Sequence, residues 1–446
     1  MRGNGDSWRK YRWHWKCAEK TVLTEKLIHY FRQIPDYRCG REKRHDLGEM
    51  LVCVTLGFLC GRTTIRRSLK WCKTHLEELR KHMNLKYGIA SPSTITRMLN
   101  GIDEELALYA FMEWIGEIVE SRNTHLAIDG KALCGATEKT KGETTPMLLN
   151  VVETVRGLIL AQLPVDSKTN EITAIPELLK LLDISGSIVT IDAVGTQTAI
   201  MEQIHEQGGH FVLTVKKNQP EAYEEIHTFM DKLGAEDLKR KKGEAMDPGM
   251  KEFLEKYEEI SQMEKNRDRN EYRTCQICKD ASNLTKSQKE WPHVQSIGRI
   301  KQVRIPKEKD SQGNDVTPSK EEFLEKGSRR IPAPSAGEGA GKDVQCTALI
   351  SDLILTAEEL GSIKRMHWSI ENRLHHVLDD TFREDRSPAQ KSRNNLSLIR
   401  KYAYNILRLA MYETGLANIM TEMMDCFCDN AALRERYVFQ GIASLY

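Results

Sequence analysis

The chain has 446 residues, 40% of them hydrophobic and 29% charged, a composition typical of a globular protein in water. This length is too great for one compact core and predicts two to three domains of about 100–200 residues each. Sixty-six basic and 64 acidic side chains leave a net charge of +2, which neither favours nor excludes a nucleic-acid partner. The distribution of charge is therefore more informative than its sum.

Cysteine usage and hydropathy indicate the compartment. The eleven cysteines show no disulfide framework, and the N-terminus has no apolar signal sequence. The longest apolar run, Met50 to Cys60, is too short to span a membrane and predicts a buried helix. These features predict a cytoplasmic protein that does not interact with membranes.

Residues 1–20 alternate basic with aromatic side chains, among them Arg9, Trp13 and Trp15. Cations meet phosphates and aromatic rings stack on bases, so the segment suits an arm that binds nucleic acid. A disordered tail is the alternative.

From Leu23 to about Arg122 the pattern is helical, with helices predicted near 22–33, 46–60, 64–84, 92–100 and 103–120. Ser91 followed by Pro92 is typical of a helix start, and Ser, Thr and Arg side chains follow. A small helical domain of this kind is compatible with a DNA-reading module and equally with a structural bundle.

The pattern changes near Thr124. An apolar strand ends at Asp129, a hairpin and the helix Glu171 to Leu182 follow, and a second buried strand ends at Asp192. A helix and a third strand come next. This order predicts a mixed sheet with helices packed on it, with both aspartates at strand ends.

A charge-dense region follows the third strand. Glu221 to Lys265 is predicted to be helical, and EYRTCQIC and VQSIGRIKQVRIP to be strands. The stretch 307–342 is rich in Gly, Pro and Ser and predicts a mobile loop.

Thr356 and Glu359 have the spacing of a capping box, which predicts a helix start. An apolar stripe follows, and it consists of Leu360, Ile363, Ile370, Leu374 and Val377. Glu371 lies beside this stripe, at the edge of a core, although a solvated surface glutamate is the commoner case.

Asp129, Asp192 and Glu371 together suit phosphoryl transfer, since two Mg²⁺ ions about 3.5–4 Å apart require hard oxygen ligands. His367 and His375 flank Glu371 at helical spacing, and with it they could instead hold zinc. That alternative leaves both strand-end aspartates without a role.

Five segments carry a family resemblance, in the order AIDGKAL, DSKTNEITAIPELL, IVTIDAVGTQ, FVLTVKKNQP and HWSIENRLHHVLDDTFREDRS. They resemble the insertion-sequence transposases of the DDE class, in particular the group of the H-repeat-associated proteins. The resemblance runs from about Leu23 to about Met411. It implies an α/β fold with a ribonuclease-H-like mixed sheet flanked by helices, an N-terminal all-helical domain and an inserted β-containing subdomain.

The resemblance also implies roles and partners. The metal-binding acids of the family fall on Asp129, Asp192 and Glu371, which would hold two Mg²⁺ ions, with Mn²⁺ as a substitute. The expected partner is double-stranded DNA, both the inverted repeats at the element ends and the target DNA, bound by a homodimer. Candidates for contact with DNA phosphates are Lys131, Lys216, Lys217, His367, Arg373 and Arg400.

The predicted domains follow from both arguments. They are an arm (1–20), a helical DNA-binding domain (21–122), the first part of the catalytic core (123–220), the inserted subdomain (221–345), the end of the core (346–415) and a tail (416–446).

Departures from the family pattern keep other functions open. Better-known transposases of the class carry tyrosine, arginine and lysine where this chain has Lys364, His367 and Leu378. Closer relatives usually have tryptophan and arginine in place of His376 and Cys134. A catalytically inactive DNA-binding remnant that represses transposition is therefore one alternative. A host metal-dependent nuclease is another.

Overall fold

The computed structural model describes residues 24–38, 43–133, 145–165, 171–265, 269–284, 291–306, 308–309, 315–316 and 344–445. The chain divides into two units: unit 1 is Met1–Glu120 with Asn394–Tyr446, and unit 2 is Ser121–Arg393. The predicted arm 1–20, Cys134 and most of the predicted loop 307–342 lie outside the described residues.

The helices of the described part carry the labels used below. They are α1 Leu27–Gln33, α2 Leu47–Leu59, α3 Ile65–Thr74, α4 Leu76–Leu79, α5 Pro92–Gly101, α6 Glu104–Gly116, α7 Glu171–Lys180, α8 Thr198–Glu206, α9 Pro220–Lys242, α10 Lys251–Glu255, α11 Ala357–Ile370, α12 Arg393–Thr414, α13 Met420–Asp429 and α14 Ala431–Arg434.

The predicted all-helical N-terminal region is confirmed by α1–α6. Side-chain caps begin several of these helices: Asp46 accepts the Glu49 N–H at 2.8 Å, and Ser91 accepts the Thr94 N–H at 3.2 Å. The single helix predicted over 64–84 is instead divided at His75 into α3 and α4.

An aromatic cluster joins the two segments of unit 1. The ring of Tyr402, on α12, packs against Phe31, Phe111 and Trp114 with ring centroids 4.7–4.8 Å apart. All four side chains are buried. Aromatic side chains bury large apolar areas, so this cluster makes the C-terminal helix part of the N-terminal core.

The strands are β1 His125–Ala132, β2 Met147–Glu153, β3 Leu158–Val165, β4 Ile188–Ile191, β5 His210–Val215, β6 Tyr257–Lys265, β7 Arg269–Cys278, β8 Ser296–Pro306, β9 Glu308–Lys309, β10 Asp315–Val316 and β11 Val344–Ser351. Nine of them form one sheet in the order β3-β2-β1-β4-β5-β11-β8-β7-β6.

The first five strands confirm the predicted mixed sheet. β1 pairs antiparallel with β2, and β2 pairs antiparallel with β3. On its other side β1 pairs parallel with β4, and β4 pairs parallel with β5. The order 3-2-1-4-5 is the one expected for the ribonuclease-H-like core, with α7 and α8 filling the crossovers between its strands.

The inserted segment continues this sheet. β6, β7 and β8 form antiparallel pairs, and β8 pairs with β11, which pairs with β5. The prediction of a helix through Lys265 is wrong, because residues 257–265 are β6, paired with β7 along its whole length. The sequence YEEISQMEK has no alternation of apolar and polar residues that would mark a strand, and its pairing decides its conformation.

α11 begins with the predicted capping box: the Thr356 hydroxyl accepts the Glu359 N–H, and the Glu359 carboxylate accepts the Thr356 N–H. Its apolar face packs on the sheet, where Leu360 and Ile363 join Val212, Ile277, Ile300 and Leu349 in one buried cluster. No helix of the described residues is long and apolar enough to cross a lipid bilayer.

Close packing of α2 on α3 yields a prediction. A Cβ atom built on Gly57 would lie 2.1 Å from Ser68 Cβ, so Gly57→Ala must push the two helices apart. We expect the free energy of unfolding to fall by about 1–3 kcal/mol, the usual effect of overpacking, measured by urea titration with circular dichroism.

Gly116→Ala, in α6, is the matched control, because a Cβ there meets nothing within 4 Å. It should be neutral or slightly stabilising, since alanine restricts the unfolded chain. Equal unfolding midpoints for Gly57→Ala and the wild type would contradict the close approach of α2 and α3.

Candidate active site

Two predicted site residues follow paired positions on neighbouring parallel strands. Ile128 of β1 and Ile191 of β4 are the last register partners of this pair, and Asp129 and Asp192 are the next residues. Asp192 directly follows β4, as predicted, whereas the predicted strand end at Asp129 is wrong, because β1 continues to Ala132 through its pairing with β2. The carboxyl ends of parallel strands meet at one edge of a sheet. The fold therefore brings together two aspartates that are 63 positions apart in sequence, which is the difference between 192 and 129.

The third predicted acid, Glu371, lies directly after α11, at the start of a π-helical turn that spans Glu371–His375. A second π-helical turn, Val377–Thr381, follows. The wider turns bury Leu374 and Leu378, while Val377 is only half-buried and Glu371 is exposed. Single π-helical turns are rare and are frequent at functional sites.

The electrostatics of Asp129 show that the three acids share a neighbourhood. Burial, together with the charges of Asp192, Glu371 and Glu171, raises the pKa of Asp129 to about 7. Burial also acts to raise the pKa of Asp192, but its ion pair with Lys216 outweighs burial and holds that pKa below its usual value. The two aspartates thus have pKa values displaced in opposite directions.

Basic groups lie against both aspartates. Lys216 Nζ donates to Asp192 Oδ2 at 2.7 Å, and His375 Nδ1 is 3.7 Å from Asp129 Oδ2. Carboxylate oxygens are the ligands that Mg²⁺ prefers, and clustered carboxylates attract a cation. The donor set therefore fits a divalent ion in its chemistry, although among the described residues no three His, Cys, Asp or Glu side chains stand close enough to ligate one.

A buried polar layer lies between α11 and the sheet. His125 Nε2 and His367 Nδ1 lie 3.1 and 3.0 Å from the hydroxyl of Thr190. Beside them, Lys364 Nζ donates to Thr214 Oγ1 at 2.8 Å. Burial lowers the pKa of both histidines far below its usual value and lowers the pKa of Lys364 to about 8.

This layer bears on two hypotheses about His367. Its side chain is buried against Thr190, one residue before the β4 end, and is not grouped with Glu371 and His375. The zinc alternative and the predicted phosphate contact of His367 are therefore unsupported, because the imidazole faces the sheet.

Lys131 is also buried, with 4% of its side chain exposed. Its ammonium lies 2.6 Å from Asp379 Oδ1, 3.2 Å from Glu384 Oε2 and 3.4 Å from Asp385 Oδ1. Burial acts to lower the pKa of Lys131, but these carboxylates raise it above its usual value. A lysine held in this way does not favour the predicted phosphate contact.

The remaining phosphate-contact candidates divide by exposure. Lys216, Lys217 and Arg373 are exposed and stay predictions. Arg400 lies in unit 1, where it is 3% exposed and its guanidinium stands 5.4 Å from the Phe58 ring centroid. This burial does not support the predicted phosphate contact of Arg400.

Two residues near the acids were not predicted. Lys364 lies seven positions before Glu371, two helical turns away, so its spacing was an available signal. Glu171, at the start of α7, lies near Gly130, whose Cβ position is 3.1 Å from Glu171 Oε1. Successive strand residues face opposite sides, so Glu171 lies across β1 from Asp129 and Lys131.

Comparison with known families agrees with this arrangement. Residues 120–406 match the family described as Transposase DDE domain, and residues 28–115 match the one described as DDE_Tnp_1-associated. The chain belongs to the DDE transposase family. The resemblance inferred from the sequence motifs is thereby confirmed, and members of this family generally use divalent metal ions.

Similar proteins of this family occur in Escherichia coli K12. "Putative protein YbfL" is 28% identical over 386 residues, covering 86% of this chain and 90% of that protein. "H repeat-associated putative transposase YhhI" is 27% identical over 386 residues, with the same coverages. Among solved structures, a piggyBac transposase synaptic complex with hairpin DNA is similar with a TM-score of 0.39 and 10% identity, covering 93% of this chain and 79% of that one.

The fold also explains the departures of this transposase-family chain from the better-known pattern. Lys364, His367 and Leu378 stand where other members of the class carry tyrosine, arginine and lysine, and here all three side chains are buried. They form part of the contact between α11, its π-helical extension and the sheet. At these three positions, therefore, the residues that differ from the better-known pattern are buried inside the protein.

The raised pKa of Asp129 yields a prediction. A carboxyl whose pKa is higher in the fold than in the unfolded chain destabilises the fold as pH rises from its unfolded pKa to its folded pKa. Asp129→Asn removes this charge, so in metal-free buffer it should gain stability between about pH 4 and pH 7, reaching on the order of 3–4 kcal/mol above pH 7. Thermal unfolding in EDTA across this range measures the difference.

Asp183→Asn is the control, because Ser185 hydrogen bonds hold the pKa of that exposed aspartate below its usual value. It should show no gain with rising pH. If the stability of Asp129→Asn and that of the wild type change with pH in parallel, the pKa of Asp129 is not raised in the folded protein.

Proposed function

We propose that this chain is a transposase that cleaves DNA at the ends of its element and joins them to target DNA. The observation that supports this most directly is the convergence of Asp129, Asp192 and Glu371 at one edge of a ribonuclease-H-like sheet, in a member of the DDE transposase family. We infer that these three acids bind Mg²⁺, for which Mn²⁺ can substitute.

Two ions held by these acids would activate the attacking oxygen and stabilise the leaving oxygen at the scissile phosphate. The residues of the chain prepare that site. Burial and neighbouring carboxylates favour the protonated form of Asp129, and Lys216 neutralises Asp192. A divalent ion held by the acids would favour the ionised form of Asp129, and Lys216, which is exposed, would then be available to contact a DNA phosphate.

The buried polar layer holds α11 in a fixed position on the sheet. Thr190 and Thr214, on β4 and β5, bind His367 and Lys364 of the helix that precedes Glu371. Lys364 also places a positive charge beneath the acids, and the charges of Asp192 and Asp129 act to raise its pKa against burial. These contacts fix Glu371 relative to both aspartates before substrate binds.

The homodimer assembled on DNA and the cytoplasmic location expected from the sequence form part of this proposal. A catalytically inactive repressor is the second candidate, because this chain lacks the tyrosine, arginine and lysine of better-known members. A host nuclease that hydrolyses DNA without joining is the third.

Asp192→Asn tests the catalytic role. We expect Mg²⁺-dependent cleavage of linear DNA carrying the sequences that flank this reading frame to fall by roughly 10²–10³-fold, as when one preorganised electrostatic contact is lost. The gain in melting temperature on adding Mg²⁺ should disappear as well. Asp183→Asn, which changes an exposed aspartate outside the site, should keep both.

The outcomes separate the candidates. Unchanged cleavage by Asp192→Asn removes Asp192 from the mechanism. Wild-type protein that binds this DNA but cleaves it in neither Mg²⁺ nor Mn²⁺ indicates a repressor. Cleavage without transfer of the 3′ ends into a target plasmid indicates a nuclease.

A further inference from the structure

The outer face of α3 is strongly basic. Arg66, Arg67, Lys70 and Lys73 are exposed, while the opposite side of the same helix is buried. At 3.6 residues per turn, Arg66, Lys70 and Lys73 form one stripe and Arg67 flanks it. The helix contains no acidic residue. These four side chains are called the α3 basic face below.

A second basic run shows what is unusual about this face. On α9, Lys239 pairs with Glu236 at 2.7 Å and Lys241 pairs with Asp237 at 2.6 Å, each with an acid about one turn earlier. Arg240 also pairs with Asp237. The charges of the α9 run are therefore largely neutralised within the helix. Within the part of the chain that the structure describes, the α3 basic face forms no ion pair.

The α3 basic face is held on a rigid support. α2 is buried along its whole length, and Gly57 lets α3 approach it closely at Ser68. The turn between the helices contains Gly61 with a φ of +71°, a left-handed conformation that favours glycine. Thr64 caps α3 by accepting the Arg67 N–H at 3.3 Å. The buried α2, the glycine turn and the cap together hold α3 in place with its basic face exposed.

We propose that the α3 basic face binds the phosphate backbone of duplex DNA. The inference goes beyond the proposed chemistry of unit 2 and rests on the proposed function only for the identity of the partner. An unneutralised cationic stripe on one rigid helix is complementary to a row of phosphates, and an α-helix fits the major groove of B-form DNA. α5, whose Ser, Thr and Arg side chains suggested a reading helix, packs against α3 in the same unit.

Salt dependence of binding tests this surface without knowledge of the element ends, because phosphate contacts do not depend on sequence. The probe is a fluorescently labelled duplex oligonucleotide of mixed sequence, titrated with the full chain at several salt concentrations. In the triple variant Arg66→Gln, Lys70→Gln, Lys73→Gln we expect the slope of log K against log salt to become shallower by roughly three units.

The matched control removes the same charge from unit 1. Lys26, Lys81 and Lys86 are exposed and lie outside α3, and their triple change to Gln should leave the slope unchanged. Arg66→Lys keeps the charge and should also keep the slope. A wild-type slope in the α3 triple variant, with its thermal transition intact, overturns the proposal, and so does a failure of the wild type to bind the duplex.

A cleavage assay run beside the binding titration separates this inference from the proposed function. If the wild type does not cleave DNA but its binding still depends on the α3 basic face, the proposed activity fails and this inference stands.

A second inference rests on the contacts of Lys131. This residue lies two positions after Asp129 on β1, so both side chains leave the same face of the strand. Asp379 lies in the second π-helical turn after Glu371, and Glu384 and Asp385 lie in the short 3-10 turn Glu384–Arg386 that follows. One buried ammonium thus ties the strand of Asp129 to the segment beyond Glu371.

The geometry points to Lys131 as a positioning residue that fixes Glu371 relative to Asp129. The π-helical segment lacks the regular hydrogen-bond ladder of α11, so it needs side-chain contacts to hold its place. A small displacement of a catalytic group lowers turnover steeply, on the order of a hundredfold for about 1 Å. The expected effect on cleavage rests on the proposed function. The expected effect on the position of residues 371–386 does not.

Hydrogen exchange measured by mass spectrometry tests this position directly. Lys131→Met keeps the apolar stem and removes the charge, and we expect faster exchange confined to residues 371–386. Lys131→Arg should restore slow exchange. Where cleavage is measurable, Lys131→Met should lower kcat by roughly a hundredfold with little change in the KM for DNA.

Lys180→Met is the control, since Lys180 is exposed and, among the described residues, forms an ion pair only with Glu177 on its own helix. It should change neither exchange nor cleavage. If Lys131→Met does not fold, Asp385→Asn removes the most distant of the three carboxylates and should give a smaller local acceleration. Unchanged exchange in residues 371–386, or acceleration spread evenly over unit 2, overturns the inference.

Discussion

Repulsion between half-buried carboxylates where the parallel pairing of β1 and β4 ends is the constraint on which unit 2 depends. The fold places Asp129 and Asp192 side by side on parallel strands and adds the charge of Glu371 from the helix above them. Ionised carboxylates at such a site repel one another. Burial, with the charges of neighbouring carboxylates, raises the pKa of Asp129, whereas the ion pair with Lys216 holds the pKa of Asp192 below its usual value. The chain offsets the repulsion with lysines at two depths: Lys216 at the surface and Lys364 beneath it.

Burial of polar groups determines where the glutamate lies. An apolar helix can slide on an apolar sheet, whereas hydrogen bonds between buried side chains have few satisfactory geometries. The hydroxyls of Thr190 and Thr214 accept only certain positions of His367 and Lys364, and both residues belong to α11. Beyond α11, Lys131 continues the same function through its ion pairs with Asp379, Glu384 and Asp385. The departures from the better-known transposase signature fall on this contact, which explains why they can coexist with the three acids.

In unit 1 some basic side chains are buried and others are exposed. Its core is aromatic and joins segments from both ends of the chain, with Tyr402 packed on Phe31, Phe111 and Trp114. Arg400 and Lys401 of α12 are buried in this unit, although Arg400 was predicted to contact DNA. The α3 basic face, by contrast, is exposed and not neutralised by its own helix. A count of lysines and arginines along the sequence does not distinguish these cases, because neutralisation and burial depend on neighbours.

The sequence by itself determined most of the elements and the family, and it singled out the three acids as candidates. Alternating and helical hydrophobic periods located the first five strands and most helices, the capping box located the start of α11, and the motifs identified the family, because these signals are local. Only the tertiary structure decided that residues 257–265 form a strand, that π-helical turns bury Leu378 instead of Val377, and that Lys131, His367 and Arg400 are inside. These features depend on contacts between residues that are distant in sequence, such as the ion pairs of Lys131 with Asp379, Glu384 and Asp385. A local sequence pattern does not show such contacts.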